Sequence, residues 1–270
     1  MTDSKIMLKI TTVQTGAFKS LIEALNNILV DCNIECFPEE EGKESYMKIL
    51  AVNNQSGMLV HMKLHSFDEF ICTSKQTIGI SIQLFYKIIK TINNNDILTI
   101  QRTSDDINKL HIKIMNKDKK QVFSYSLQIV DVDSEVLDVS QASFQAVTIM
   151  SSVDFQKVCK DMMGIEAKYI DITLVDNKLT LSGKGEFVHG NAEYPENGST
   201  VVINRKEEFK DIIITGRYEL KNLILFTKCT GLCNHIEIFM KNDFPLLIKY
   251  SISSIGYLHL CLSPIIEESY

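Results

Sequence analysis

Tryptophan is absent from the 270 residues, and proline occurs only four times. No glycine- and serine-rich run interrupts the chain, so the composition marks no flexible linker. No apolar stretch approaches the ~18 residues that a membrane span needs, and no membrane partner is expected. The opening Met-Thr-Asp-Ser-Lys lacks the charged-then-apolar layout of a secretory signal, so a soluble intracellular protein is expected. Cys-x-x-Cys pairs are missing too. The seven cysteines are scattered, which argues against a disulfide framework and for reduced, mostly buried thiols. Cys32/Cys36 and Cys229/Cys233 have a wider spacing that could supply four zinc ligands. Structural zinc sites usually use tighter pairs, and core packing is the expected role.

Catalytic signatures are lacking as well. No phosphate-cradling glycine loop, Gly-x-Ser-x-Gly elbow or His-Glu-x-x-His occurs. Gly183-Lys-Gly185 reads as a turn signal only. His61 and His65 lie in a segment of period two, which puts them on an exposed strand face rather than on one side of a helix. Asp131 and Asp133 form a carboxylate pair with no histidine nearby. A metal-dependent nuclease built on them and a histidine is the weakest of the alternatives. The expectation is no enzyme, no cofactor and no metal site.

What the chain does contain is a repeat. Phe18 and Phe155 begin two short amphipathic segments 137 residues apart; Leu84 and Leu220 mark a second pair 136 apart. Lys109-Leu-His-Ile-Lys-Ile114 recurs as Pro245-Leu-Leu-Ile-Lys-Tyr250, again 136 apart. Three offsets in register read as a tandem duplication, consistent with the two domains that this length suggests.

Four short helices carry the repeat. Phe18, Leu21, Ile22, Leu25, Ile28 and Leu29 make a buried stripe on the first, from Gly16 to Leu29. The second runs from about Ile82 to Ile92, with Phe85, Ile88, Ile89 and Ile92 inward and Asn93-Asn-Asn95 as a left-handed stop. The third spans Asp154 to Met163, capped by Ser151 or Ser152 and ended by Gly164. The fourth is Leu220 to Thr230, with Lys221 and Lys228 on one outer face. Between the helices, Met58–His65, Asp96–Arg102, Val122–Ile129, His235–Phe239 and Tyr257–Leu262 alternate with period two, as half-exposed antiparallel strands do. The fold class is therefore α+β: two similar domains of antiparallel sheets with two short helices each.

Charge is distributed unevenly. The chain carries −6, but the four helices total +4, which leaves −10 elsewhere. Helices two and four contain no acid. If the four share one side, they offer a positive strip to a phosphate backbone. No aromatic residue interleaves the lysines, which favours duplex backbone contact over base stacking. Each lysine taken singly is most simply a solvated side chain.

Two sets of residues resemble a known family. Leu225-Phe-Thr-Lys-Cys-Thr-Gly-Leu232, Asn242-Asp-Phe-Pro-Leu-Leu-Ile-Lys-Tyr250 and Leu258-His-Leu-Cys-Leu-Ser-Pro-Ile-Ile-Glu-Glu268 are similar to the C-terminal part of the proliferating cell nuclear antigen family of sliding clamps. Phe18–Leu25, Leu84–Lys90 and Phe155–Asp161 resemble its first three helices. The likeness is patchy over 31–50 and 184–210. It implies clamp domains at 1–129 and 144–270 joined by a connector at 130–143, and a ring of three subunits whose twelve helices line a hole around double-stranded DNA. Lys19, Lys87, Lys90, Lys157, Lys160, Lys221 and Lys228 fall where the family places its positive lining. Val52, Leu59, Leu137, Val139, Phe144, Pro245, Ser263 and Pro264 fall where it docks partner peptides. Ring closure would pair about Lys120–Gln128 with about Phe187–Tyr194 of the next subunit. The implied partners are a second and third copy of the chain, a DNA polymerase, a clamp loader and other proteins with clamp-binding peptides. The implied location is the nucleus, or a cytoplasmic replication site if the chain is viral. Ser20, Asn26, Ser140 and Cys261 depart from the family pattern. A monomeric processivity factor, or one subunit of a checkpoint-type heterotrimeric clamp, is the alternative.

Overall fold

The computed structural model describes residues 5–40, 42–53, 55–133, 142–196 and 200–265. The first half of the chain runs β1 (Ile6–Thr12), α1 (Thr15–Asn26), β2 (Asp31–Phe37), β3 (Tyr46–Asn53), β4 (Met58–Leu64), β5 (Glu69–Cys72), β6 (Gln76–Ser81), α2 (Ile82–Ile89), β7 (Asp96–Thr103), β8 (Lys109–Asn116) and β9 (Gln121–Gln128). The second half repeats that order: β10 (Ala146–Ser151), α3 (Ser152–Gly164), β11 (Tyr169–Val175), β12 (Lys178–Lys184), β13 (His189–Pro195), β14 (Val201–Arg205), β15 (Ile214–Glu219), α4 (Leu220–Phe226), β16 (His235–Met240), β17 (Leu246–Ile252) and β18 (Gly256–Leu262). By packing, the described residues within Met1–Ala51, His61–Leu137 and Ile252–Leu258 form one compact unit, and those within Val52–Val60, Asp138–Ser251 and His259–Tyr270 another.

Strand pairing repeats as faithfully as element order. The first half gives the ladders β5-β1-β7-β8-β9 and β4-β3-β2-β6; the second gives β14-β10-β16-β17-β18 and β13-β12-β11-β15. The backbone locks repeat too. Ile82 N donates to Val30 O at 2.9 Å, and Leu220 N to Lys168 O at 3.0 Å, both 138 residues apart. This corrects the sequence offset for the second helix pair. Ile82, 0% exposed, is the counterpart of Leu220, whereas Leu84 is 47% exposed. A two-residue shift on a strand-to-helix junction preserves an apolar letter but turns it to the other face.

Each helix lies on its sheet through one apolar stripe. Phe18, Leu21, Ile22 and Leu25 of α1 are buried, and Phe18 meets Phe85 of α2 edge-on with ring centroids 6.3 Å apart. Phe155, Val158, Cys159 and Met162 do the same for α3. Met162 can approach its sheet because Gly183 and Gly190 face each other across β12 and β13. A Cβ on Gly190 would lie 2.9 Å from the Met162 sulfur. Gly183 is thus a place for close packing within a strand rather than a turn residue.

The helix ends depart from the sequence expectations. Helix α2 stops at Ile89, through turns that bring Thr91 N to Ile88 O and Ile92 N to Ile89 O. Asn93–Asn95 have no left-handed backbone. Asn93 N and Nδ2 instead donate to Asp96 Oδ2 at 2.8 and 3.2 Å, and Asn116 Nδ2 to Asp96 Oδ1 at 2.8 Å. Ser151 caps α3 by accepting from Asp154 N at 3.3 Å. Ser152 is buried and donates to Cys233 O, as the equivalent Thr15 does to Asn93 O. Helix α4 ends at Phe226, and Thr227–Leu232 tightens into a 3-10 turn.

Period two holds in β4, β16 and β18, each of which buries alternate residues. It fails in β9, where Val122 is 56% and Phe123 51% exposed. This strand is the last of its ladder, and only Leu127 in it is buried. The thiols of Cys32, Cys36, Cys159 and Cys229 are buried, and all seven cysteines are free. Burial pushes the Cys32 and Cys159 thiols up to about 12, so they act as small apolar groups. Among the described residues no helix is long and apolar enough to cross a membrane.

Tyr250 is 1% exposed and its hydroxyl donates to Phe226 O at 2.9 Å. Tyr250→Phe removes that hydrogen bond from the core of the second unit. The expected loss is about 1–2 kcal/mol, read as a lower urea midpoint at unchanged m-value. An unaltered midpoint would show that the bond contributes nothing net.

Candidate nucleic-acid interface and peptide pocket

Because each helix buries one stripe, its polar residues are forced outward, and the lysines of interest sit there. They are not equivalent. Lys87 on α2 and Lys90, which caps its C-terminal end, are exposed. So are Lys160 on α3 and Lys228 in the 3-10 turn after α4. None of these four has an ion-pair partner among the described residues.

The other three are engaged. Lys19 is half-buried and its Nζ donates to Ile92 O at 3.0 Å, satisfying a carbonyl just beyond α2. Lys157 pairs with Asp161 at 2.7 Å, one helical turn on, and that hydrogen bond raises the lysine's pKa. Lys221 pairs with Glu219 at 2.8 Å. The simple picture of seven solvated ammonium groups is corrected to four open and three held. The Lys157–Asp161 spacing of four was a readable signal of an i,i+4 pair. The Lys221–Glu219 contact was not, because Glu219 belongs to β15, outside the helical register.

Two features near these lysines escaped the sequence pattern. Tyr86 lies beside Lys87 on α2, half-buried, its phenol pushed up by burial and then by nearby Glu23 of α1. An aromatic does interleave the lysines, yet it leans on the neighbouring helix rather than standing free. Lys19, Ile92, Asn93, Asn94, Asn95, Asn116 and Asp118 line an open polar depression of about 490 Å³. The asparagines expected to stop a helix line this hollow instead.

The pocket residues are placed unevenly. Val52 and Leu59 are half-buried on β3 and β4. Phe144 stacks obliquely on Phe239 and meets Phe244 edge-on, at centroid distances of 5.3 and 5.7 Å, immediately before half-buried Pro245. Ser263 is exposed and Pro264 half-buried where the chain leaves β18; the next residue, Ile265, donates its N–H to Arg217 O at 2.8 Å. Leu137, Val139 and Ser140, and most of the 130–143 connector, lie outside the described residues. The two strands expected to close a ring are both last in their ladders: β9 in the first half and β13 in the second. Beside β13, Phe187 is 90% exposed and Val188 51%. His61, Asp131 and Asp133 converge on nothing: His61 meets the Tyr257 ring edge-on, and both aspartates are exposed. No group of three metal-ligating side chains occurs among the described residues.

Comparison with known proteins agrees with this architecture. Residues 7–136 match the family model for the proliferating cell nuclear antigen N-terminal domain, and residues 138–265 the model for its C-terminal domain. A probable DNA polymerase sliding clamp of Acanthamoeba polyphaga mimivirus is 28% identical over 97% of this chain, although the chain spans only 63% of that protein's length. A probable DNA polymerase sliding clamp 1 of Paramecium bursaria Chlorella virus 1 is 25% identical over 99% of this chain and 100% of its own. The proliferating cell nuclear antigen of Chaetomium thermophilum is 25% identical over 97% of this chain and 99% of its own. With the two family models matched over 7–136 and 138–265 and the same α+β half built twice, the chain belongs to the proliferating cell nuclear antigen family.

Proposed function

We propose that the chain is a DNA sliding clamp: a non-enzymatic processivity factor that encircles duplex DNA as a homotrimer and tethers a polymerase. The observation that carries this reading is the pairing of a duplicated clamp-type fold with lysines on and beside its helices that have no ion-pair partner among the described residues, in an otherwise acidic chain. Lys87, Lys90, Lys160 and Lys228 would make weak, non-specific contacts with the phosphate backbone. Weak contact suffices, because a closed ring retains DNA by topology. Lys157 and Lys221 would join only by exchanging a carboxylate for a phosphate, and Lys19 serves chiefly to hold the end of α2. In this reading 1–129 and 144–270 are the two clamp domains and 130–143 the connector between them. The chain would act at a site of DNA replication, nuclear in a cell or cytoplasmic in a viral infection.

Ring closure in this reading pairs β9 of one copy with β13 of the next. Unpaired edge strands are an aggregation hazard that a specific partner removes. The exposed Val122, Phe123, Phe187 and Val188 supply apolar cover beside that seam. Partner proteins, among them the polymerase and the clamp loader, would dock peptides against Val52, Leu59, Leu137, Val139, Phe144, Pro245, Ser263 and Pro264, with tail backbone groups pairing an incoming strand.

Native mass should be about three times the 30.7 kDa of one chain, and Phe123→Arg should shift it toward one chain by placing a charge in the seam. A wild-type mass of one chain would point instead to the monomeric factor. After loading, retention on closed circular duplex should exceed retention on linear duplex; equal retention counts against encirclement. Lys87→Glu combined with Lys90→Glu should lower processive synthesis at moderate salt without altering the fold. Lys19→Ala should act in the opposite sense, reducing stability more than processivity. Unchanged synthesis by the double variant would remove the lysine argument.

A further inference from the structure

Two thiols meet at one corner of the first unit. Cys72 ends β5 and stands directly opposite Leu8 of β1, so the two share one face, and Leu8 is fully buried. Cys36 of β2 and Leu8 line the same core cavity of about 10 Å³. The Cys72 thiol donates to Ser74 O at 3.0 Å and lies 3.7 Å from Cys36 O. Cys36 is 0% exposed, whereas Cys72 is half-buried and within reach of solvent. The turn that leads from β5 into β6 is held at this corner. Gln76 of β6 faces Cys36, and its Nε2 donates to Ser74 O and Ser74 Oγ at 3.2 and 3.1 Å. Arg102 Nη1 in turn donates to Gln76 Oε1 at 2.8 Å.

The second half makes the same contact with other residues. Leu8 faces Cys72 and Arg102, and Ala146 faces Arg205 and Met240, so Leu8 and Ala146 are counterparts at the 138-residue offset. Cys72 thus corresponds to Arg205, and Cys36, at that offset, to Leu174. Arg205 Nη2 donates to Leu174 O at 3.4 Å, as the Cys72 thiol approaches Cys36 O. The duplicated fold therefore asks for a donor at one position and an apolar side chain at the other. Leucine serves the buried position in the second copy, so packing there does not require sulfur. Only the first copy sets two thiols at this contact.

We propose that Cys36 and Cys72 are a redox modification site: on meeting glutathione disulfide they close to an intrachain disulfide that staples β5 to β2. Cys72, the reachable thiol, attacks as thiolate one sulfur of glutathione disulfide. That S–S bond breaks, and the departing glutathione thiolate takes up the proton that Cys72 lost. Cys36, as thiolate, then attacks the Cys72 sulfur of the mixed disulfide. The Cys36–Cys72 bond forms, and the second glutathione leaves with the proton from Cys36. Two protein thiols are oxidised, and one glutathione disulfide is reduced to two glutathione thiols. Burial pushes both thiols above their ordinary range, and Cys72 adds to the effect at Cys36, so exchange runs faster in mildly alkaline medium. The two cysteines are 36 residues apart, and closing that loop restrains the unfolded chain more than it alters the folded one.

The test incubates the full folded chain with glutathione disulfide at about pH 8.5, quenches in acid, alkylates the remaining thiols and maps the peptides by mass spectrometry. The expected product is a linked Cys36–Cys72 peptide with the other five of the seven cysteines alkylated. The urea midpoint should rise by about 1 M, and dithiothreitol should reverse the rise. Native mass should not change. Cys36→Ala should stop at the mixed disulfide, with one glutathione on Cys72. Cys72→Ser should show neither an adduct at this corner nor a midpoint shift. Recovery of both Cys36 and Cys72 as alkylated thiols in the wild-type chain overturns the inference. So does a linked peptide that forms only in urea-unfolded chain, or a midpoint rise that persists in Cys72→Ser. The mapping needs no variant and no DNA, peptide or ring, so its outcome is independent of the function proposed above.

Discussion

Burial of one narrow apolar stripe per helix is the constraint on which the rest of the molecule depends. Helices of 7 to 13 residues are too short to persist alone in water. They exist here because Phe18, Phe85, Phe155 and Leu223, each no more than 1% exposed, have a sheet to lie on. Each such side chain contributes roughly 1.5–3 kcal/mol through burial, and the direction of burial then dictates where everything polar must go. The lysines face outward for this reason, whatever they bind.

The duplication makes the same solution visible twice, and the comparison separates what the fold requires from what one copy has changed. Both halves start the first helix with a buried hydroxyl, Thr15 or Ser152, donating to a backbone carbonyl that precedes a strand. Both lock the second helix, through one N–H, to the turn that follows the first helix. Both hold the chain that leaves the last strand, through Val130 N to Gly79 O and Ile265 N to Arg217 O. The differences are the informative part. The first copy sets two thiols at one strand contact, whereas the second sets an arginine against a leucine carbonyl.

Much of this was open to reading along the chain. Periodicities of 3.6 and two located the four α-helices but only a minority of the strands, and the Phe18/Phe155 register survives unaltered, because burial on one face leaves a linear record. The errors have a common origin. Leu84 was matched to Leu220 because both are leucines, yet a helix shows its face only once its starting strand is known. Val122 and Phe123 sit side by side at the start of β9, and its place at the end of a ladder leaves both exposed. Asn93–Asn95 carry the chemistry of a helix stop, and Asp96, itself held by Asn116, draws Asn93 into a turn instead.

Sequence alone determined the two-fold α+β plan, the concentration of positive charge on four short helices and the family to which the chain belongs, because these follow from local spacing and residue type. Tertiary structure alone decided which lysines lack an ion-pair partner among the described residues and which strands end their ladders. It also decided that Cys36 and Cys72 would meet at one corner. Those outcomes depend on partners distant in the chain: Lys19 with Ile92, 73 residues on, and Cys36 with Cys72, 36 residues on. A one-dimensional pattern records how a residue relates to its neighbours in order. It carries no record of which carbonyl or carboxylate the folded backbone brings alongside.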